Sequence, residues 1–150
     1  MGYPIRCSSC GKETWATNII NLIQEHTETN GKIKCIVCGS LNASIYQKSS
    51  LQEKGEAWER YILGVIPITT EFETYTPYIF LTSQAKDGEV QGIHFNYFKD
   101  TRGEGGRLKH GHGPGGAPVL TKNEIFQLLG KLMDYGCMKK EDFEDFIKKL

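Results

Sequence analysis

The sequence predicts an α+β protein in two parts: a four-Cys module with a helical insert over residues 1–50, then a small antiparallel sheet with a C-terminal helical hairpin over residues 51–150. Three observations carry this reading. Two Cys-x-x-Cys-Gly turns, Cys7-Ser8-Ser9-Cys10-Gly11 and Cys35-Ile36-Val37-Cys38-Gly39, frame a stretch with helical spacing. From Trp58 the pattern changes to short runs with the period of strands. After Thr121 the period becomes that of helices and holds to the end of the chain.

The Cys turns come first because their chemistry is local. A two-residue spacer lets one tight turn present two sulfurs to one ion, and the Gly after each second Cys supplies a positive-φ residue that frees backbone N–H groups to point at sulfur. Cys7, Cys10, Cys35 and Cys38 are therefore the candidate ligands of one structural zinc ion in a closed tetrahedral site. In Cys7, Cys10, Gly11, Cys35, Cys38 and Gly39, residues 1–50 resemble the zinc-ribbon class, with a longer and partly helical spacer between the pairs. That resemblance implies a recognition surface built around the ion. The other uses of such a motif are a redox pair, a disulfide framework or an iron centre. A redox site needs the motif to open a helix after a strand, and a disulfide framework needs secretion. Met1-Gly2-Tyr3-Pro4-Ile5-Arg6 runs into the first turn without an apolar stretch, so a cytoplasmic protein with reduced thiols is expected.

Composition narrows the partners. Hydrophobic residues make up 39% of the 150 and aromatics 11%, the balance of a globular protein, and no apolar run is long enough for a membrane span. Formal net charge is zero, so any grip on phosphate must come from a local patch. The fifth cysteine, Cys137, is expected as a small buried apolar group between two helices.

Taken in order, Glu13 to Thr27 carries Trp15, Ile19, Leu22, Ile23 and His26 at helical spacing with Asn30-Gly31 as a stop, which predicts one helix between the Cys turns and His26 as a core or boundary residue. Lys32 to Lys34 and Ala43 to Gln47 read as short strands flanking the second turn, followed by a polar connection over Gln47 to Glu56. Trp58 to Ile68 is apolar on both faces, the pattern of a covered strand, and Pro67 places its end at a sheet edge. Tyr78 to Ser83 and Glu89 to Lys99 read as a hairpin turning at Asp87-Gly88. In its second strand Ile93, Phe95 and Tyr97 share one face, and His94, Asn96 and Phe98 the other.

A Gly-rich basic loop spans residues 100–118, with Arg107 to His110 able to pair back as a fourth strand. Thr121-Lys122-Asn123-Glu124 is a capping box, Ile125, Leu128, Leu129 and Leu132 follow on one face, and Gly136 ends that helix. Lys139 to Leu150 is a second amphipathic helix, with Phe143, Phe146, Ile147 and Leu150 expected inward and its charges matched to the dipole.

Three groups besides the cysteines could carry chemistry. The Gly-rich loop offers Arg102, Arg107, Lys109, His110 and His112 to an anion, although it lacks the Gly-Lys-Ser/Thr of a P-loop. His94 with His110 and His112 could form a second metal site. The strand Gln91 to Phe98 is faintly similar, in Gly92, Phe95 and Phe98, to the aromatic strand of RNA-recognition domains, with core packing as the expected role. The resulting expectation is a zinc-binding module that acts by binding and not by catalysis. Its partner is nucleic acid, contacted through Arg6, Lys12, Lys32, Lys34 and the Arg102 to His112 loop. A protein-interaction adaptor subunit is the alternative, and an enzyme using the Gly-rich loop for phosphate and His94, His110 or His112 for acid–base work comes third.

Overall fold

A computed structural model describes residues 2–48, 59–69, 74–111 and 120–150. Most of the polar connection at 47–56, Trp58, and the loop from His112 to Val119 lie outside the described residues. Seven strands are present among the described residues: β1 Tyr3–Cys7, β2 Glu13–Ala16, β3 Ala43–Lys48, β4 Glu59–Pro67, β5 Tyr75–Ser83, β6 Gly92–Asp100 and β7 Leu108–Gly111. They form one antiparallel sheet in the order β2-β1-β3-β4-β5-β6-β7. Three helices accompany it, α1 Ile19–Glu25, α2 Lys122–Tyr135 and α3 Lys140–Lys148.

This corrects the expected fold. A ribbon with a helical insert followed by a separate small sheet is not what forms: the strands carrying the Cys turns are the first strands of a single sheet, joined to the rest where Ile45 to Lys48 pairs with Ile62 to Glu59. The predicted helix over Glu13 to Thr27 divides. Glu13–Ala16 pairs with β1 and turns Trp15 outward, 59% exposed, while the helix begins only at Ile19. Asn18 sets that start, its side chain accepting the Asn21 N–H as an N-cap. Lys32 to Lys34 forms no strand; Lys32 and Ile33 make isolated bridges to Gly64 and Thr27. The Asp87-Gly88 turn also differs, because β6 starts at Gly92 and the connection after Ser83 is longer than a two-residue hairpin loop.

Paired residues share a face, so the register sorts the side chains. One face carries Tyr3, Ile5, Cys7, Ala16, Ile45, Ile62, Val65, Phe80 and Phe98, and α1 lays Ile19, Leu22 and Ile23 into the same cluster. Each Ile, Leu, Val or Phe among them contributes roughly 1.5–3 kcal/mol on burial. Ile62 and Val65 stay together, although three residues apart, because the β4–β5 register shifts between Ile62 and Gly64. β4 is apolar on both faces because both are covered, Ile62 and Val65 lying in the α1 cluster and Ile66 in the α2 cluster. The sheet is strongly curved: the rings of Tyr3 on β1 and Phe80 on β5 lie 6.2 Å apart although two strands separate them.

The opposite face of β4 and β5 carries Ile66, Ile79 and Leu81, covered by Leu128 and Leu132 of α2. Cys137 is half-buried beside this cluster, and burial pushes its thiol up. The capping box at Thr121 forms as expected, Thr121 Oγ1 accepting the Glu124 N–H and the Glu124 carboxylate accepting the Thr121 N–H, and Gly136 closes α2 at φ 96°. Helix α3 forms but does not pack as predicted. It buries none of its residues, and Phe146 and Ile147 are 60% and 66% exposed.

Candidate metal centre

The two Cys turns fold alike. In each, the Gly N–H donates to the carbonyl of the first Cys, Gly11 to Cys7 at 2.9 Å and Gly39 to Cys35 at 2.8 Å, with φ near 70° at both glycines. The first Cys N–H in turn donates to the carbonyl five residues on, Cys7 to Lys12 and Cys35 to Ser40. A side chain at either glycine would be strained in this left-handed backbone. The turns are then tied together: the Ser8 N–H reaches the Asn42 carbonyl, the Ser9 and Ser40 hydroxyls lie 2.8 Å apart, and the Asn42 amide donates to Ser9 Oγ. Cys7 belongs to β1, and Cys7 and Cys35 are buried members of the apolar cluster under α1; Cys10 and Cys38 face solvent.

This brings all four sulfurs within 4.8 Å of one another, the only such cluster of His, Cys, Asp or Glu ligand atoms among the described residues. Cys7 and Cys38 are 3.6 Å apart and Cys10 and Cys35 3.7 Å. A tetrahedron of sulfurs at about 2.3 Å from a central ion has edges of about 3.8 Å, so the four thiols fit a metal ion. Titration is split within the cluster. The Cys10 N–H on Cys7 Sγ, 3.5 Å away, pulls the Cys7 thiol down to about 6 against the effect of burial, helped by the Ser9 N–H and the Cys38 and Cys10 thiols. The Ser40 N–H pulls Cys38 the same way, but burial and the thiols of Cys7, Cys10 and Cys35 outweigh it and push Cys38 up to about 12. Crowded thiols that lose the first proton easily and hold the last one need a cation to ionise together.

The other candidate residues are dispersed. Arg6 is ion-paired to Glu13 at 2.6 Å and Lys34 to Glu28 at 3.0 Å; the Lys32 ammonium sits 5.7 Å from the Tyr135 ring centre; Lys12 is exposed. Arg102 grips Asp100 with two hydrogen bonds of 2.9 Å and thereby holds its carboxyl down at about 2. Arg107 and Lys109 are exposed on the β6–β7 hairpin. His94 pairs in register with Phe80, while His110 pairs with Phe98, four residues further along β6. That separates the two histidines by about 13 Å along the strand. His112 lies outside the described residues. His94 instead meets Arg60, whose Nη1 is 2.5 Å from Nδ1 and 2.7 Å from Nε2; burial first, then the Arg60 charge, lowers the histidine's pKa. Arg60 was not singled out from the sequence. Its signal was available: it stands two residues before Ile62, on the face of β4 that enters the core. His26 is buried as expected and stands apart from the sulfur cluster.

Fold and site together define a seven-stranded sheet protein with a four-Cys cluster, able to bind a metal ion, at its N-terminal strands. No protein-family model, curated protein or solved structure matches the chain. No described helix is long and apolar enough to cross a membrane.

Proposed function

We propose that Cys7, Cys10, Cys35 and Cys38 hold one zinc ion as a structural staple and that the chain acts by binding, with nucleic acid as its partner. The observation that supports the ion is the pair of sulfur separations, 3.6 and 3.7 Å, close to a tetrahedral edge. With four thiolates no position is left for a catalytic water, so the ion shapes the surface and performs no chemistry. Paired Cys-x-x-Cys-Gly turns of the zinc-ribbon kind favour zinc over iron, and thiolate ligation suits a reducing compartment such as the cytoplasm. Support for nucleic acid is local charge. From Lys99 to Lys109 the β6–β7 hairpin has four cations, Lys99, Arg102, Arg107 and Lys109, against Asp100 and Glu104. The purified protein is expected to contain one zinc per chain by elemental analysis and to retain single-stranded oligonucleotide at low salt, releasing it steeply as salt rises. A coloured, iron-loaded protein, or one that ignores oligonucleotide at low salt, defeats the corresponding half of the reading.

A specific observation favours a second reading, the protein-interaction adaptor. Phe126, Phe146 and Ile147 are each at least 60% exposed on α2 and α3. Because they are so exposed, Phe146→Glu with Ile147→Glu is expected to leave the thermal midpoint within about 2 °C of the parent. A protein partner gripping that face would be lost in the same variant, as read by co-elution.

A further inference from the structure

The outer face of the last three strands is where the exposed ring of Phe95 and the half-buried rings of Tyr75 and Tyr97 meet cations that form no ion pair among the described residues. In register, Tyr75 stands opposite Lys99 and Lys99 opposite Lys109, while Pro77 stands opposite Tyr97 and Tyr97 opposite Gly111; Ile79 pairs with Phe95. All of these side chains share the face on which α2 packs. Helix α2 covers Ile79 and Leu81, but Ile93 and Phe95 on the neighbouring strand remain 37% and 45% exposed. Phe98, two faces of the same strand considered, is wholly buried on the other side. The Tyr97 ring lies over Gly111, filling the space a side chain there would need, and its centre is 5.0 Å from that of Tyr75 at a tilt of 32°. A row of Phe95, Tyr97 and Lys99 thus runs along β6, with Lys109 beside its basic end.

That basic end is unfavourable as it stands. Like charges directly opposite on a sheet repel, and neither Lys99 nor Lys109 forms an ion pair among the described residues. The nearest acid in sequence, Asp100, is held by both nitrogens of the Arg102 fork. An anion placed between the two ammonium groups would relieve the repulsion. Flat rings next to paired cations match a polymer that alternates planar bases with phosphates, and bases offer their ring faces only when unstacked.

We infer that the β5–β7 face is a docking platform for single-stranded nucleic acid, with a phosphate held between Lys99 and Lys109 and bases stacked on Phe95 and Tyr97. This rests on the nucleic-acid reading above and assigns its surface. The test is fluorescence anisotropy of the full chain with labelled oligothymidylate and oligouridylate across a salt series, folding being checked by circular dichroism. Lys99→Glu with Lys109→Glu is expected to weaken binding at least about tenfold at low salt and to flatten the slope of log affinity against log salt by about 0.7, the value of the one phosphate contact removed. Phe95→Ala is expected to lose at least about fivefold with the slope unchanged. Lys109→Glu alone serves if the double variant does not fold. Lys86→Glu, in the exposed connection between β5 and β6 at the far end from Lys99, is expected to bind as the parent does. If the platform variants bind as the parent does, the platform is overturned while nucleic-acid binding survives. A parent chain that binds neither oligonucleotide overturns both, and equal affinity for duplex overturns the single-strand assignment.

Discussion

Chelating the metal is expected to lower the thermal midpoint by more than about 10 °C, and Cys7→Ser to do the same without chelator. Structural zinc sites contribute apparent binding energies of about 10–16 kcal/mol, comparable to the whole stability of a domain. Losing even about 5 kcal/mol of this moves the midpoint of a 150-residue chain by roughly 10–20 °C. The cluster ties β1, the turn after α1 and the start of β3, so the strands it joins are those expected to melt first. Cys7 and Cys10 then separate two effects. Cys10 faces solvent, so its serine variant loses metal but, compared metal-free, should match the chelated parent. Cys7 is 2% exposed within the apolar cluster, so a serine there also replaces a buried apolar sulfur with a polar hydroxyl, and its metal-free midpoint should fall below that of the chelated parent. Elemental analysis and thermal unfolding, each with and without chelator, read both. A chelated parent that melts where the untreated one does would show that the four sulfurs hold no stabilising ion.

What could be read from the sequence was what local chemistry dictates. A Cys-x-x-Cys-Gly turn needs its glycine and its spacing whatever surrounds it, and both turns form with the same hydrogen bonds. The capping box at Thr121 and the face alternation of β6 are equally local. The failures share a different cause. Trp15 reads as the start of the α1 stripe because it is apolar and at helical spacing; pairing with Pro4 turns it out on β2. The β3–β4 pairing that makes one sheet of the chain depends on contacts across a polar connection, and nothing local announces it. Alternation placed His94 with Phe98 on one face, yet register, not alternation, decides how far His94 stands from His110. The apolar stripe of α3 showed that a face was available to be covered. It did not show that this chain covers it.

Gly64→Ala is expected to cost about 2–3 kcal/mol, a fall of roughly 5–10 °C in midpoint. Gly64 sits at the β4 bulge, where three parts of the fold converge. A Cβ there would lie 2.5 Å from Tyr135 Cε2 and 3.0 Å from the Gly31 carbonyl oxygen. Neither neighbour can yield easily. The Tyr135 hydroxyl donates to the Leu63 carbonyl at 3.2 Å, fixing the ring over the bulge, and the Gly31 carbonyl accepts the Val65 N–H at 2.8 Å. Gly31 itself has φ 92° with Ile66 packed against it, so the turn that leads into the second pair of cysteines is pinned to β4 at this point. The clash would push α2 off one face of β4 or the 28–31 turn off its hydrogen bond. A double-mutant cycle distinguishes the two: in a Tyr135→Ala background, which already lacks the ring, Gly64→Ala should cost at least about 1 kcal/mol less. If its cost is unchanged there, the constraint lies with Gly31. The glycine would then serve the approach to the Cys cluster and not the seating of the helix.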